Sequence, residues 1–186
     1  PSTYAHFVAR KDYRKTYDVY KDDTLLNRKP KKSRKIFVCL DEQRGQYLVD
    51  GLVAMDFPLS SGVKAYPTKT GDYTVISKKE DHASNLYGKM YDAEGKCINY
   101  NAESTDPVPE GGRFDGSPMP YWQRLTNAGL GLHVGKVRRH PISHGCVRLP
   151  RNVAEILYKQ TSVGTPVTIQ RTPLPVPEAQ KAPAVQ

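Results

Sequence analysis

The apolar residues of this chain come in short runs set between turn residues, and that spacing limits the fold more than any other property of the sequence. Ile36–Leu40 reads as a strand and runs into the turn Asp41-Glu42-Gln43-Arg44-Gly45. Gln46–Val49 and Leu52–Pro58 flank Asp50-Gly51, a two-residue hairpin signal because glycine accepts positive φ. Tyr73–Ser77, with its β-branched and aromatic residues, predicts another strand, and Lys89–Tyr91 with Cys97–Asn99 a further hairpin. Met119–Leu125, Gly129–Val134 and Pro166–Ile169 continue the pattern. One helix is predicted at about Asn152–Lys159, where Val153, Ile156 and Leu157 fall at i, i+3 and i+4 and so share a face. The chain is therefore mainly β. Its 186 residues, 38% of them hydrophobic, suffice for one domain with a proper core and not for two. No apolar run approaches the roughly 20 residues that a membrane-spanning helix needs.

The flanks read differently. Residues 1–34 form a basic, Tyr-rich leader in which Tyr13, Tyr17 and Tyr20 recur at helical spacing, so a short helix is expected there. The charge run from Arg28 to Lys35, broken by Pro30, reads as a solvated linker or as a contact for an anionic polymer. The domain proper is expected over 35–171, and the Pro/Ala-rich stretch 172–186 as a disordered tail. Asn101–Ser117 lacks periodicity and is rich in Pro, Gly, Asp and Glu, which predicts a long surface loop, either a lid over a groove or a plain insertion. The chain starts at Pro1 with no secretory signal, as a mature or trimmed form of an exported protein would. A net charge of +9 points to an anionic neighbourhood or to a solvated basic surface. Nucleic-acid binding would need a recognisable module or interleaved aromatics, and the sequence contains neither. Three cysteines do not make a disulfide framework. Cys39 lies in an apolar run as a small hydrophobe would, and a Cys39–Cys97 bridge stays open as an alternative in an oxidising compartment.

The chemistry is concentrated in Leu132–Pro150, which holds three of the five histidines and one of the three cysteines. Cys146 offers a thiol, with His144 two residues before it and His133 beyond a loop. Gly145 precedes the cysteine, where it lets a substrate carbonyl approach the backbone closely. A thiol attacks as the thiolate, so an imidazole that takes its proton and later returns it to a leaving amine would complete a cysteine acyltransferase. The rival is zinc, for which His133, His140, His144 and Cys146 offer four ligands. Their spacing matches no familiar zinc module, and four ligands would close the site and occupy the thiol. His140, before Pro141 in a basic loop, reads as exposed and non-catalytic.

Ser143-His144-Gly145-Cys146-Val147-Arg148 resembles the signature of the L,D-transpeptidases (YkuD-type catalytic domains), enzymes of bacterial peptidoglycan. Ser61-Gly62, the run Pro67-Thr68-Lys69-Thr70-Gly71-Asp72-Tyr73, Leu86-Tyr87-Gly88 and Met119-Pro120-Tyr121-Trp122 look like landmarks of the same family in the right order, so the resemblance covers about Lys35–Gln170. It implies a β-sandwich of mixed sheets with a helix after the catalytic cysteine. It further implies Cys146 as nucleophile, His133 as base, and His144 and Gly145 as partners of the catalytic turn, the backbone there forming an oxyanion hole. Ser143, Arg148, Met119, Tyr121 and Trp122 are the implied substrate-binding residues, although strand alternation lets only some of the last three face a groove. Two features depart from the pattern: the loop from His133 to Ser143 is short, and Arg148 stands where others carry Asn. Arg148 either neutralises a substrate carboxylate or pairs with an acidic neighbour. The implied function is a transferase of cell wall biogenesis and cell shape in the periplasm or cell wall. It would work on stem peptides through a thioester with loss of D-alanine, without metal or cofactor, and would be open to carbapenems and to anionic wall polymer. An L,D-carboxypeptidase using water as acceptor, or a dead wall-binding module, are the alternatives.

Overall fold

The structure, a computed structural model, describes residues 3–183. Helix α1 (Tyr4–Val8), strand β1 (Tyr20–Lys21) and helix α2 (Asp23–Asn27) precede β2 (Arg34–Cys39), β3 (Arg44–Val49) and β4 (Leu52–Pro58). There follow β5 (Gly71–Thr74), β6 (Ser77–Lys79), β7 (Ala83–Tyr91), β8 (Cys97–Glu103), β9 (Arg113–Pro118), β10 (Trp122–Arg124), β11 (Gly131–Val134) and β12 (Val147–Leu149). Helix α3 (Arg151–Gln160) and β13 (Pro166–Gln170) close the domain.

Three sheets result, in strand orders β1-β4-β3-β2-β13-β5, β12-β11-β10-β6 and β8-β7-β9. Pairing is antiparallel except for β13 on β2 and β12 on β11, which makes the two larger sheets mixed. The β3–β4 hairpin turns where expected, with Asp50 and Gly51 both at positive φ (51° and 79°). The six-stranded and four-stranded sheets share one core, in which Ile36, Tyr47, Met55 and Ile169 meet Leu132, Val147 and Leu149. Helix α3 seals it with Val153, Ala154 and Leu157, while Ile156 packs at the margin. The Lys78 ammonium donates to the Tyr158 and Thr161 carbonyls at the end of α3, where a cation meets the negative end of the helix dipole.

Several expectations are corrected. Tyr73–Ser77 is not one strand: the chain leaves the large sheet after Thr74, buries Val75, and joins the small one at Ser77. Hydrogen bonds from Val75 N–H to Thr165 O and from Ile76 N–H to Arg124 O mark the crossing. Residues 101–117 are a loop only over 104–112. Much of the stretch is β8 and β9, which flank β7 in an antiparallel sheet whose exposed face hides the apolar alternation a strand would otherwise show. Tyr13 and Tyr17 lie on no helix: Tyr13 sits in a turn, Tyr17 is exposed and Tyr20 belongs to β1.

The leader is anchored at two places. Leu25 and Leu26 of α2 enter the main core, and Tyr4 and Phe7 of α1 cover Leu48 and Val53 on the outer face of the large sheet. Arg44 and Asp56, both fully buried, pair at 2.7 Å between β3 and β4. The hydroxyls of Tyr4 and Tyr13 donate to the second Asp56 oxygen at 2.9 and 2.7 Å. Arg44 also donates to the carbonyls of Thr16 and Asp18 at 3.0 and 3.1 Å. The stretch expected to be a disordered tail is likewise held as far as it is described. Leu174 is buried, Gln46 donates to Pro175 O at 2.8 Å, and the Gln180 amide exchanges two hydrogen bonds with the Val53 backbone. Its few anchors are single residues, which composition does not reveal.

Removing one member of a buried ion pair leaves the other charge uncompensated, at a cost of about 3–5 kcal/mol. Asp56→Ala should therefore lower unfolding stability by that amount in denaturant titration and loosen the leader to proteolysis. Asp23→Ala, which breaks an exposed pair with Lys21 at 3.1 Å, should leave both unchanged.

Candidate active site

Strands β11 and β12 lie parallel with Leu132 opposite Val147, His133 opposite Arg148 and Val134 opposite Leu149. Parallel neighbours cannot be joined by a tight turn, so residues 135–146 form the crossover. It is pinned to the segment Ser60–Gly62, whose bridges to Arg148 and Ser143 run along its length. Arg148 and Ser60 exchange N–H···O bonds at 2.8 and 3.1 Å, and Ser61 O accepts from Ile142 and Ser143 at 2.8 and 3.0 Å. The Gln43 side chain holds Ser61 from behind, donating to its hydroxyl at 2.7 Å and accepting its N–H at 3.0 Å.

The turn before β12 is fixed from inside. The Ser143 hydroxyl donates to Cys146 O at 2.5 Å and accepts the Gly145 N–H at 3.2 Å. Ser143 is 2% exposed and lies at the groove wall, with its hydroxyl engaged by the turn. The Thr68 hydroxyl accepts the Gly62 N–H at 2.8 Å and donates to Gly145 O at 2.6 Å, tying two loops together. Only glycine fits at 62, since a Cβ there would lie 2.8 Å from Gly145 Cα. Gly145 has φ of 116°, a backbone that side chains rarely adopt. With the Gly145 N–H taken, the N–H groups of His144 and Cys146 have no protein partner among the described residues.

The Cys146 thiol is half-buried and donates to Gly129 O at 3.2 Å. Burial pushes it up, against a hydrogen bond from the Gly131 N–H and the attraction of Arg148 and Arg124. His133 is 6% exposed, with Nδ1 2.7 Å from Val134 O. A carbonyl can only accept, so Nδ1 carries the proton and Nε2 is the bare base nitrogen. Burial pushes the imidazole down to about 4, helped by Arg148 and His82 and opposed by the Val134 hydrogen bond. At neutral pH both groups are thus uncharged, and a proton would pass from sulfur to nitrogen only as a bond forms at sulfur.

The thiol and imidazole open into a groove of about 800 Å³. On one side Trp122 tilts against His133 at 5.9 Å between centroids and stacks on His82 at 5.0 Å. On the other, His144 stacks on Tyr87 of β7 at 4.4 Å and meets Tyr66 at 4.8 Å. Leu86, Tyr100, Asn101 and Pro118 of the β8-β7-β9 sheet also line the groove, so that sheet is a wall over the site. Met119, Trp122 and Arg148 line it too, but Tyr121 does not. Its positive φ (55°) turns the ring onto Tyr158 of α3 at 5.5 Å, which corrects its assignment to the groove. His140 is exposed, and no three His, Cys, Asp or Glu side chains among the described residues form a metal-holding group. Cys39 and Cys97 are free thiols on different sheets. Sequence reasoning missed Thr68, His82, Arg124 and Gly131. A Cβ at Gly131 would lie 2.4 Å from the Trp122 ring, a tertiary contact with no local signal.

The L,D-transpeptidase catalytic domain family (YkuD) matches residues 33–169. A curated relative, the probable L,D-transpeptidase 3 of Mycobacterium tuberculosis, is 32% identical over 120 residues, covering 61% of this chain and 38% of the relative. Among solved structures, an L,D-transpeptidase from Mycobacterium smegmatis superposes with TM-score 0.57 at 22% identity, over 74% of this chain and 58% of that one. Mycobacterium tuberculosis L,D-transpeptidase 3 in complex with a faropenem-derived adduct gives 0.54 at 23%, over 74% and 60%. The chain thus spans under two thirds of the length of each. No helix among the described residues is long and apolar enough to cross a membrane.

A thiol pushed up by burial has no thiolate plateau near neutrality. Alkylation of Cys146 by iodoacetamide, mapped by peptide mass spectrometry, should keep rising from about pH 6 to about pH 9. A rate flat across that range would mean a preformed thiolate–imidazolium pair instead.

Proposed function

Because the chain belongs to the L,D-transpeptidase catalytic domain family, we propose that it is a cysteine acyltransferase acting on peptidoglycan stem peptides. The observation that carries this reading is the contact of His133 Nδ1 with the Val134 carbonyl, which leaves Nε2 as the base nitrogen on the strand beside the half-buried Cys146 thiol.

Cys146 Sγ attacks the carbonyl of the diamino acid that precedes a terminal D-alanine, and its proton passes to His133 Nε2. The thiol must first exchange its bond to Gly129 O for the imidazole. The tetrahedral oxyanion is received by the N–H groups of His144 and Cys146, which Ser143 and Thr68 hold in place through the turn. Collapse breaks the C–N bond, Nε2 returns the proton to the departing D-alanine amine, and a thioester remains. An amine of a second stem then attacks the thioester and releases the thiol. Every step uses the chain's own groups. Similar structures solved with a faropenem-derived adduct and in complex with imipenem support an accessible site of this kind, and a carbapenem is a matching probe here. The reading places the protein outside the cytoplasmic membrane, in the periplasm or cell wall, where a net charge of +9 suits anionic wall polymer.

Intact-protein mass spectrometry after incubation with a carbapenem tests the proposal. Wild type should gain a single adduct and Cys146→Ala none, while both unfold at the same temperature. No adduct on folded, reduced wild type would sink it. With a stem tetrapeptide donor, His133→Gln should slow acylation by about 10²–10⁴-fold, the usual contribution of a general base. An added amine acceptor should appear in the product; release that ignores the amine would identify a hydrolase.

A further inference from the structure

The groove is charged with one sign only. Lys69, Arg124, Lys136 and Arg148 line it, and none of its lining residues is Asp or Glu. Arg148 decides what this means, because the sequence left it a choice between an acidic neighbour and a substrate. Among the described residues no acidic side chain pairs with its guanidinium, and the titratable group that acts on it is the Cys146 thiol. Its position is built, since a Cβ at Gly135 would lie 2.8 Å from Arg148 Cγ and Cδ, so the arginine stem runs across bare backbone.

Strand register places Arg148 relative to the reacting groups. It stands opposite His133, and parallel partners in register project to the same face. Arg124 stands opposite Gly131 on the other side of β11, whose N–H reaches the Cys146 sulfur. Leu132 and Gln123, the alternate residues, are buried in the opposite direction. The two arginines therefore bracket β11 on the groove face. Among the described residues Arg124 has no ion pair either; it meets the Trp122 ring at 5.6 Å and makes long contacts of 3.4 and 3.5 Å to the Asn127 and Thr126 carbonyls.

We infer that Arg124 and Arg148 are specificity-determining residues that read two carboxylates of the acyl donor, one on each side of the scissile carbonyl. This rests on the acyl-transfer reading of the site. A guanidinium presents a planar pair of N–H donors that matches a carboxylate and is matched poorly by a carboxamide. On the proposed donor the two groups are the carboxylate of the leaving D-alanine and the second carboxylate of the diamino acid. A donor with either one converted to the carboxamide leaves a half-buried guanidinium without its partner.

The test is a grid of enzymes and donors read as kcat/KM. Wild type, Arg124→Gln and Arg148→Gln, with Arg148→Lys as a charge-preserving control, are each assayed on the dianionic donor and on its two mono-carboxamides. On the dianion each Gln variant should lose about tenfold or more, the scale of one charged hydrogen bond. Each loss should shrink severalfold with one carboxamide donor and persist with the other, and Lys should recover part of it. Equal losses on all three donors, or both losses relieved by the same carboxamide, would overturn the inference. A second readout needs no acyl transfer: the ratio of Cys146 alkylation by iodoacetate to that by iodoacetamide. It should fall severalfold in Arg148→Gln, and an unchanged ratio would overturn the role of Arg148 whether or not the protein is a transpeptidase.

Discussion

The parallel pairing of β11 with β12 is the constraint on which the site depends. It sets His133 and Arg148 side by side and begins one residue after Cys146, so thiol, imidazole and guanidinium share one face of a small sheet. The twelve-residue crossover that such pairing requires carries no regular element to stiffen it. Rigidity comes from contact instead. Ser60–Gly62 lies along the crossover, Thr68 ties Gly62 to Gly145, and Ser143 folds its hydroxyl back onto the turn. Gly62 and Gly145 approach so closely that no side chain fits at 62.

This arrangement is supported from the far side of the domain. Gln43, which grips Ser61, sits beside Arg44, whose buried charge is matched by Asp56. Asp56 is in turn capped by two tyrosines of the leader, and Gln46 joins Tyr4 to the C-terminal stretch. An isolated buried charge is costly, and a buried pair holds well only when its remaining lone pairs and protons are satisfied. Residues 3–34 thus supply hydrogen bonds that a bare β3–β4 hairpin would lack, which is why the first strand of the catalytic domain does not mark the start of the folded unit.

Desolvation governs the electrostatics of the groove. It pushes the thiol up and the imidazole down, and nearby arginines oppose the first shift while reinforcing the second for His133. The resting site is therefore a neutral pair in a cationic surround. Such a site disfavours charge on the imidazole.

How much was legible in the sequence differs from element to element, and the reasons are physical. Asp50-Gly51 announced its hairpin because a two-residue turn needs positive φ, a local demand. The α3 face was readable because helical periodicity is local too. Ser-His-Gly-Cys with an upstream histidine pointed to acyl chemistry, because a nucleophile, its base and a glycine backbone are residue types that few other purposes bring together. The tertiary structure alone decided what depends on distant chain segments meeting. It placed Ser143 inside the turn, sent Tyr121 to α3, put both ends of 101–117 into strands, tied Thr68 to Gly145, and brought His82 and Arg124 to the groove. It also left Arg148 without an acidic partner among the described residues, since whether a guanidinium has one is a question of packing in space and not of order along the chain.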